Sequence, residues 1–233
     1  MAELVVALDV DKQKALELVK TLPAGVFFKI GHKLFTESPE IMAEINSLGR
    51  KVFLDLKYHD IPSVVGLAIQ AVSKKYKPFA ITLHTSGGPK MMQEASESRD
   101  SLPVSERPLL FGVTVLTSIA PADLAELFGD NMSSSGVEPV VLRLAQAAKK
   151  HGLNGVVCSG NELPVVKKAC GMSFLTLVPG VQLDTANFRK DQQRTASIEE
   201  AAKLGDYLVV GRQITGSPSP AEETEKILKI LGK

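Results

Sequence analysis

The segment Phe53-Leu54-Asp55-Leu56-Lys57-Tyr58-His59-Asp60-Ile61-Pro62 is the densest candidate for chemistry in this chain. In a strand, residues two apart face the same way, so Asp55 and Lys57 project together while Leu54 and Leu56 point to the other side. Lys29 ends an earlier apolar run and belongs beside Asp55 if the two runs are neighbouring strands. Asp60 lies beyond the strand and need not face the same site. Two lysines and two aspartates then form an alternating charge cluster. Placing it against apolar surroundings is costly unless it is used. A purely structural ion pair between Asp55 and Lys57 is the plainer alternative, and Lys29 beside them weighs against it. A second constellation is Val209-Val210-Gly211-Arg212, with Gly180 at the end of the preceding run. Gly211 would let the backbone approach a ligand closely, and Arg212 offers a two-pronged donor suited to a phosphate dianion.

Other chemistries find little support. The histidines His32, His59, His84 and His151 are scattered without a paired helical spacing, and Cys158 and Cys170 stand apart from them, so no metal is expected. No dinucleotide fingerprint or Walker loop occurs, and Ser159-Gly160 lacks the surroundings of a nucleophile elbow. The balance of 27 Lys and Arg against 26 Asp and Glu leaves a formal charge of +1, which argues against a nucleic-acid clamp. Two cysteines are too few for a disulfide framework. No apolar run approaches the roughly 20 residues of a membrane span. A first strand starting at Leu4 leaves no room for a signal peptide. The expectation is a soluble cytoplasmic protein.

The elements that must carry these groups alternate. Strand candidates are 4–8, 26–30, 52–56, 80–84, 109–116, 155–158, 174–178 and 207–210, each nearly continuously apolar, as in parallel strands buried on both faces. Helix candidates fall at 12–21, 39–48, 62–76, 90–99, 137–150, 162–169, 197–204 and 219–231, with Pro39 and Pro62 in first turns. A chain of 233 residues with eight such units suits a single-domain (β/α)8 TIM barrel spanning 1–233. A doubly wound sheet is the alternative, but the turn Asp9-Val10-Asp11 after the first strand contains no glycine. In a barrel, reactive groups sit at the carboxyl ends of the strands. Here those positions hold Asp9, Lys29, Asp55 with Lys57, His84, Thr117, Ser159, Pro179-Gly180 and Gly211-Arg212. The polar stretch 182–196 reads as a loop between the seventh and eighth strands.

These residues resemble the orotidine 5'-phosphate decarboxylase family along essentially the whole chain. The motifs are Val6-Ala7-Leu8-Asp9, Lys29-Ile30-Gly31, Leu54 through Pro62, Leu83-His84-Thr85-Ser86-Gly87-Gly88, Thr114-Val115-Leu116-Thr117-Ser118, Val178-Pro179-Gly180 and Val209-Val210-Gly211-Arg212. The Asp-x-Lys-x-x-Asp core is shared with sister enzymes acting on sugar phosphates; the His59-Asp60-Ile61-Pro62 continuation narrows the likeness. The resemblance implies decarboxylation of orotidine 5'-phosphate to uridine 5'-phosphate without a cofactor, by a cytoplasmic homodimer. By that likeness Lys57 matches the proton donor, and Asp55, Lys29 and Asp60 complete the charged tetrad, with Asp60 supplied across the dimer. Asp9, Lys29 and the run Asp55, Leu56, Lys57, Tyr58, His59, Asp60, Ile61, Pro62, Ser63 and Val64 match contacts to ribose and pyrimidine. Thr117 matches a further contact, and Gln192, Gly211 and Arg212 match contacts to the phosphate. After Pro179-Gly180-Val181 many bacterial relatives carry Arg; this chain has Gln182, an amide that can donate to the phosphate but brings no charge, with Arg194 as a candidate to compensate. A sister sugar-phosphate decarboxylase or aldolase, and a non-catalytic phosphate-binding barrel, are the alternatives.

Overall fold

The computed structural model describes residues 1–129, 136–183 and 196–233. Eight parallel strands close into a barrel: β1 (Glu3–Ala7), β2 (Phe27–Gly31), β3 (Val52–Tyr58), β4 (Ala80–His84), β5 (Leu109–Val113), β6 (Gly155–Val157), β7 (Leu175–Pro179) and β8 (Tyr207–Val210). Each strand pairs with its neighbours in sequence, and β8 closes on β1 through Val5↔Val209 and Val6↔Val210. This is the expected TIM barrel, with helices following the strands.

The continuous apolar character of the strands follows from two separate cores. Leu4, Val6, Phe28, Ile30, Leu54, Ile81, Leu83, Leu110, Val156, Val178, Leu208 and Val210 face outward into the large cluster shared with the helices. Val5, Ala7, Phe53, Ala80, Phe111, Leu177 and Val209 fill the barrel interior. Phe27, Phe53, Phe79, Phe111 and Tyr207 pack edge-on or tilted at one end of this interior, with ring centroids 5.0–6.0 Å apart. Such aromatic packing seals that end by area burial and ring geometry together. The inward positions two residues further along β2 and β3 are Lys29 and Asp55, so charge replaces apolar volume only towards the carboxyl end.

Several boundaries depart from the sequence reading. β5 stops at Val113, because Thr114 leaves the β5–β6 ladder and uses both its amide and its hydroxyl on the carbonyl of Val157, at 3.2 and 2.8 Å. β3 runs on to Tyr58 past a break in register against β4. The helices His32–Glu37, Pro121–Phe128 and Arg212–Thr215 were not anticipated, being short or weakly patterned. The stretch expected to be a loop at 182–196 begins and ends in a small parallel pair, Val181–Gln182 with Ala196–Ser197. Among the described residues, no helix is long and apolar enough to cross a membrane.

Candidate active site

A cavity of about 520 Å³ lies where the strands end. Its apolar wall includes Ala7, Val113, Val157, Leu177 and Val209, inward-facing residues of five strands. Asp55 and the two lysines stand at one side of it. Lys57 Nζ lies 2.9 Å and Lys29 Nζ 3.3 Å from the same oxygen, Asp55 Oδ2. Lys29 Nζ is also 3.5 Å from Asp9 Oδ1, so two ammonium groups are set against two carboxylates. Gly31 makes room for this: a Cβ there would stand 3.3 Å from Asp9 Oδ1 and 3.4 Å from Lys29 Nζ.

Asp55 is 7% exposed. Burial pushes its carboxyl up, but Lys29, Lys57 and the hydrogen bonds from Lys57 and Thr82 outweigh that and hold it below the usual carboxylate range. A buried carboxylate kept ionised between two lysines is a fixed negative charge in a low-dielectric pocket, where it acts strongly on any ligand charge. The pairing of Asp55 with Lys57 was expected from a regular strand, but the geometry is less ordinary. Leu54 pairs with Ile81 and Tyr58 with Leu83, so three β3 residues pass a single β4 residue, Thr82. Lys57 adopts φ 47°, the left-handed region. Its N–H donates to Thr82 Oγ1 at 3.0 Å, and Thr82 Oγ1 donates to Asp55 Oδ1 at 2.8 Å.

Thr117, Gln182, Gly211 and Arg212 also line the cavity, together with Gly180. Gly180, at φ 74°, makes the turn between β7 and Val181, a conformation that favours glycine. A Cβ at Gly211 would meet only Ala7 Cβ, at 3.6 Å, so the protein itself leaves that position open towards the cavity. Arg212 is exposed at the rim. Gln213 also lines the cavity; its Oε1 accepts from Leu183 N–H at 3.2 Å and its Nε2 donates to Glu223 at 2.7 Å. The lining of the cavity thus combines opposed charges with an arginine, an amide, a hydroxyl and open backbone. Such a lining can hold a ligand that carries an anionic group.

Residues 2–227 match the family described as Orotidine 5'-phosphate decarboxylase / HUMPS family. The chain belongs to this family. A protein of Halalkalibacterium halodurans named orotidine 5'-phosphate decarboxylase is 40% identical over 231 residues, covering 97% of each chain. One of Dichelobacter nodosus with the same name is 40% identical over 232 residues, covering 98% of each. The crystal structure of orotidine 5'-phosphate decarboxylase from Lactobacillus acidophilus superposes with a TM-score of 0.86 at 30% identity over the whole of both chains.

Within this orotidine 5'-phosphate decarboxylase fold, the residues singled out in the sequence fall into three groups. Asp9, Lys29, Asp55, Lys57, Thr117, Gln182, Gly211 and Arg212 line the one cavity. Leu56, Tyr58, His59, Asp60, Ile61, Pro62, Ser63 and Val64 do not line it. Leu56 and Tyr58 pack against the outer core, and burial pushes the Tyr58 phenol up to about 12. His59, Asp60, Ile61, Ser63 and Val64 are exposed. Asp60 accepts from the Ile61 N–H at 2.6 Å and, among the described residues, forms no ion pair. Gln192 and Arg194 form the third group and lie outside the described residues. The sequence reading missed Thr82 and Gln213. Thr82 had one signal: it shares inward parity with Ala80 and stands opposite the Asp55 segment.

Proposed function

We propose that the chain decarboxylates orotidine 5'-phosphate to uridine 5'-phosphate, the last step of uridylate biosynthesis, as one (β/α)8 domain over 1–233 working as a cytoplasmic homodimer. The observation that carries this is the Lys29–Asp55–Lys57 cluster around the buried Asp55, at 3.3 and 2.9 Å, facing a cavity that Arg212 also lines. The family match and the names of the relatives supply the substrate.

In this reading Arg212, Gly211, Gln182 and Gln192 hold the phosphate, Asp9 and Lys29 contact the ribose and pyrimidine, and Thr117 makes a further contact to the ligand. The carboxylate of the pyrimidine is brought towards Asp55. Its carbon–carbon bond breaks, carbon dioxide leaves, and the electron pair remains on the ring carbon. Lys57 then gives that carbon a proton and recovers one from solvent. Negative charge therefore moves from beside Asp55 towards the Lys57 ammonium as the bond breaks. The site is complementary to the charge distribution that develops, rather than to that of the substrate. Lys29 shares Asp55 Oδ2 with Lys57 and offsets part of its charge, and Asp60 of the partner subunit completes the tetrad. The exposed run from His59 to Val64 serves the partner's cavity, which fits its position outside its own.

Purified protein mixed with orotidine 5'-phosphate should release carbon dioxide and form uridine 5'-phosphate, and a chelator should leave the rate unchanged. Binding of uridine 5'-phosphate in a calorimeter without any turnover of orotidine 5'-phosphate would make the chain a binder instead. Turnover of a keto-sugar phosphate that needs magnesium would make it a sister enzyme.

A further inference from the structure

Thr82 is fully buried in β4, and its hydroxyl has two neighbours. A hydroxyl carries one proton, and the ionised Asp55 can only accept. The proton must point at Asp55 Oδ1 and a lone pair must receive the Lys57 N–H, so the direction of both bonds is forced. These bonds sit where the ladder between β3 and β4 is interrupted, with Asp55, Leu56 and Lys57 passing Thr82 alone. Extra residues of this kind leave backbone groups unpaired. Thr82 gives the Lys57 N–H the partner that the ladder does not. The left-handed backbone at Lys57 is strained for a non-glycine residue and persists only where its surroundings hold it. The two oxygens of Asp55 are meanwhile divided: Oδ1 takes Thr82, and Oδ2 takes both lysines.

We infer that Thr82 is a positioning residue for decarboxylation: its one hydroxyl fixes the rotation of the Asp55 carboxylate and the backbone from which Lys57 presents its ammonium. The inference rests on the reading of Asp55 and Lys57 as the reacting charges. It differs from a packing role in a measurable way. Valine keeps the β-branched shape and loses the hydroxyl, whereas serine keeps the hydroxyl and loses a methyl group. A packing role makes valine the better replacement, and a positioning role makes serine the better one.

The test compares wild type with Thr82→Val and Thr82→Ser, measuring kcat and KM for orotidine 5'-phosphate, the affinity for uridine 5'-phosphate, and the thermal midpoint. Misplaced reacting groups cost on the order of 10²-fold, so kcat of Thr82→Val should fall by about that factor. Its KM and its affinity for uridine 5'-phosphate should stay within about threefold of wild type, because the lost interaction acts on the chemical step. Thr82→Ser should recover most of the turnover even if its thermal midpoint is the lower of the two. Should the valine variant not fold, Thr82→Ala against Thr82→Ser isolates the same hydroxyl with the methyl absent from both. Wild-type kcat in Thr82→Val, or equal kcat in the alanine and serine variants, would overturn the inference. A wild-type chain that releases no carbon dioxide would overturn instead the reading on which it rests.

Discussion

Lys57 combines three properties that residue type alone would not give it: an ion pair with a buried carboxylate, a left-handed backbone, and a position lining the cavity. If it is the proton donor, its replacement removes both the proton and the cation towards which charge moves. General acid catalysis is worth about 10²–10⁴-fold, so Lys57→Ala should lose at least that in kcat. Retention of turnover within about tenfold of wild type in a direct assay of carbon dioxide release would remove Lys57 from that role. His84, at the end of β4, makes a separate prediction about stability. It is half-buried and tilts against the His59 ring, with centroids 5.4 Å apart. Burial, then His59 and Lys57, push its imidazole below the usual value, with Asp55 opposing. The folded state therefore favours the neutral ring, while the unfolded chain takes a proton as pH falls through about 6.5. The contribution is fully present above that pH and is lost as pH drops towards the lower folded value. Urea unfolding of His84→Asn should lose less stability than wild type between about pH 7.5 and pH 5. An identical loss in both proteins would mean that His84 titrates as it does in the unfolded chain.

At the scale of elements, the barrel was legible because each strand is apolar on both faces, and the register explains why: one parity meets the helices and the other fills the interior. The charged pair was legible from the spacing of Asp55 and Lys57. What the spacing did not contain is the two-residue slip of β3 against β4, which depends on pairing with Ile81 and Leu83, far away in sequence. Thr82 was hidden for the same reason, since a lone threonine in Ala80-Ile81-Thr82-Leu83-His84 reads as an ordinary β-branched strand residue. His32–Glu37 was missed because only Leu34 of its six residues is buried, too little for a helical period to show. Pro121–Phe128 did carry a start signal, with Pro121 in the first turn and Asp123 accepting the Ala120 N–H at 2.7 Å. The end of β8 makes the prediction proper to this scale. Arg212 stands just beyond that strand and lines the cavity, and in the proposed reading it acts on the phosphate and not on the ring. A hydrogen bond to a charged group is worth about 1.5–3 kcal/mol, and Arg212→Ala should lower kcat/KM for the nucleotide by the corresponding 10- to 100-fold or so. The nucleoside lacking phosphate should be a poor substrate for wild type and nearly indifferent to the substitution. Equal losses for both substrates would make Arg212 structural.

Over the whole molecule, one face carries an exposed apolar stripe. Ile61, Val64 and Leu67 are spaced by three along the start of the helix Pro62–Tyr76 and are 63%, 43% and 67% exposed, an apolar stripe beside Asp60. A second copy of the chain would cover this stripe and carry its own Asp60 with it, and a two-fold arrangement would make the exchange reciprocal. The account then requires that each site draw Lys57 from one subunit and Asp60 from the other. Lys57→Ala and Asp60→Ala should each be inactive alone. When the two are mixed and their subunits exchange, one site of every mixed dimer carries both lesions and the other carries none. Random mixing of equal amounts makes half the dimers mixed, so activity should rise to about a quarter of the wild-type value. If Asp60 served its own barrel, every site would still hold one lesion, and a mixture as inactive as its parents after proven exchange would contradict the account.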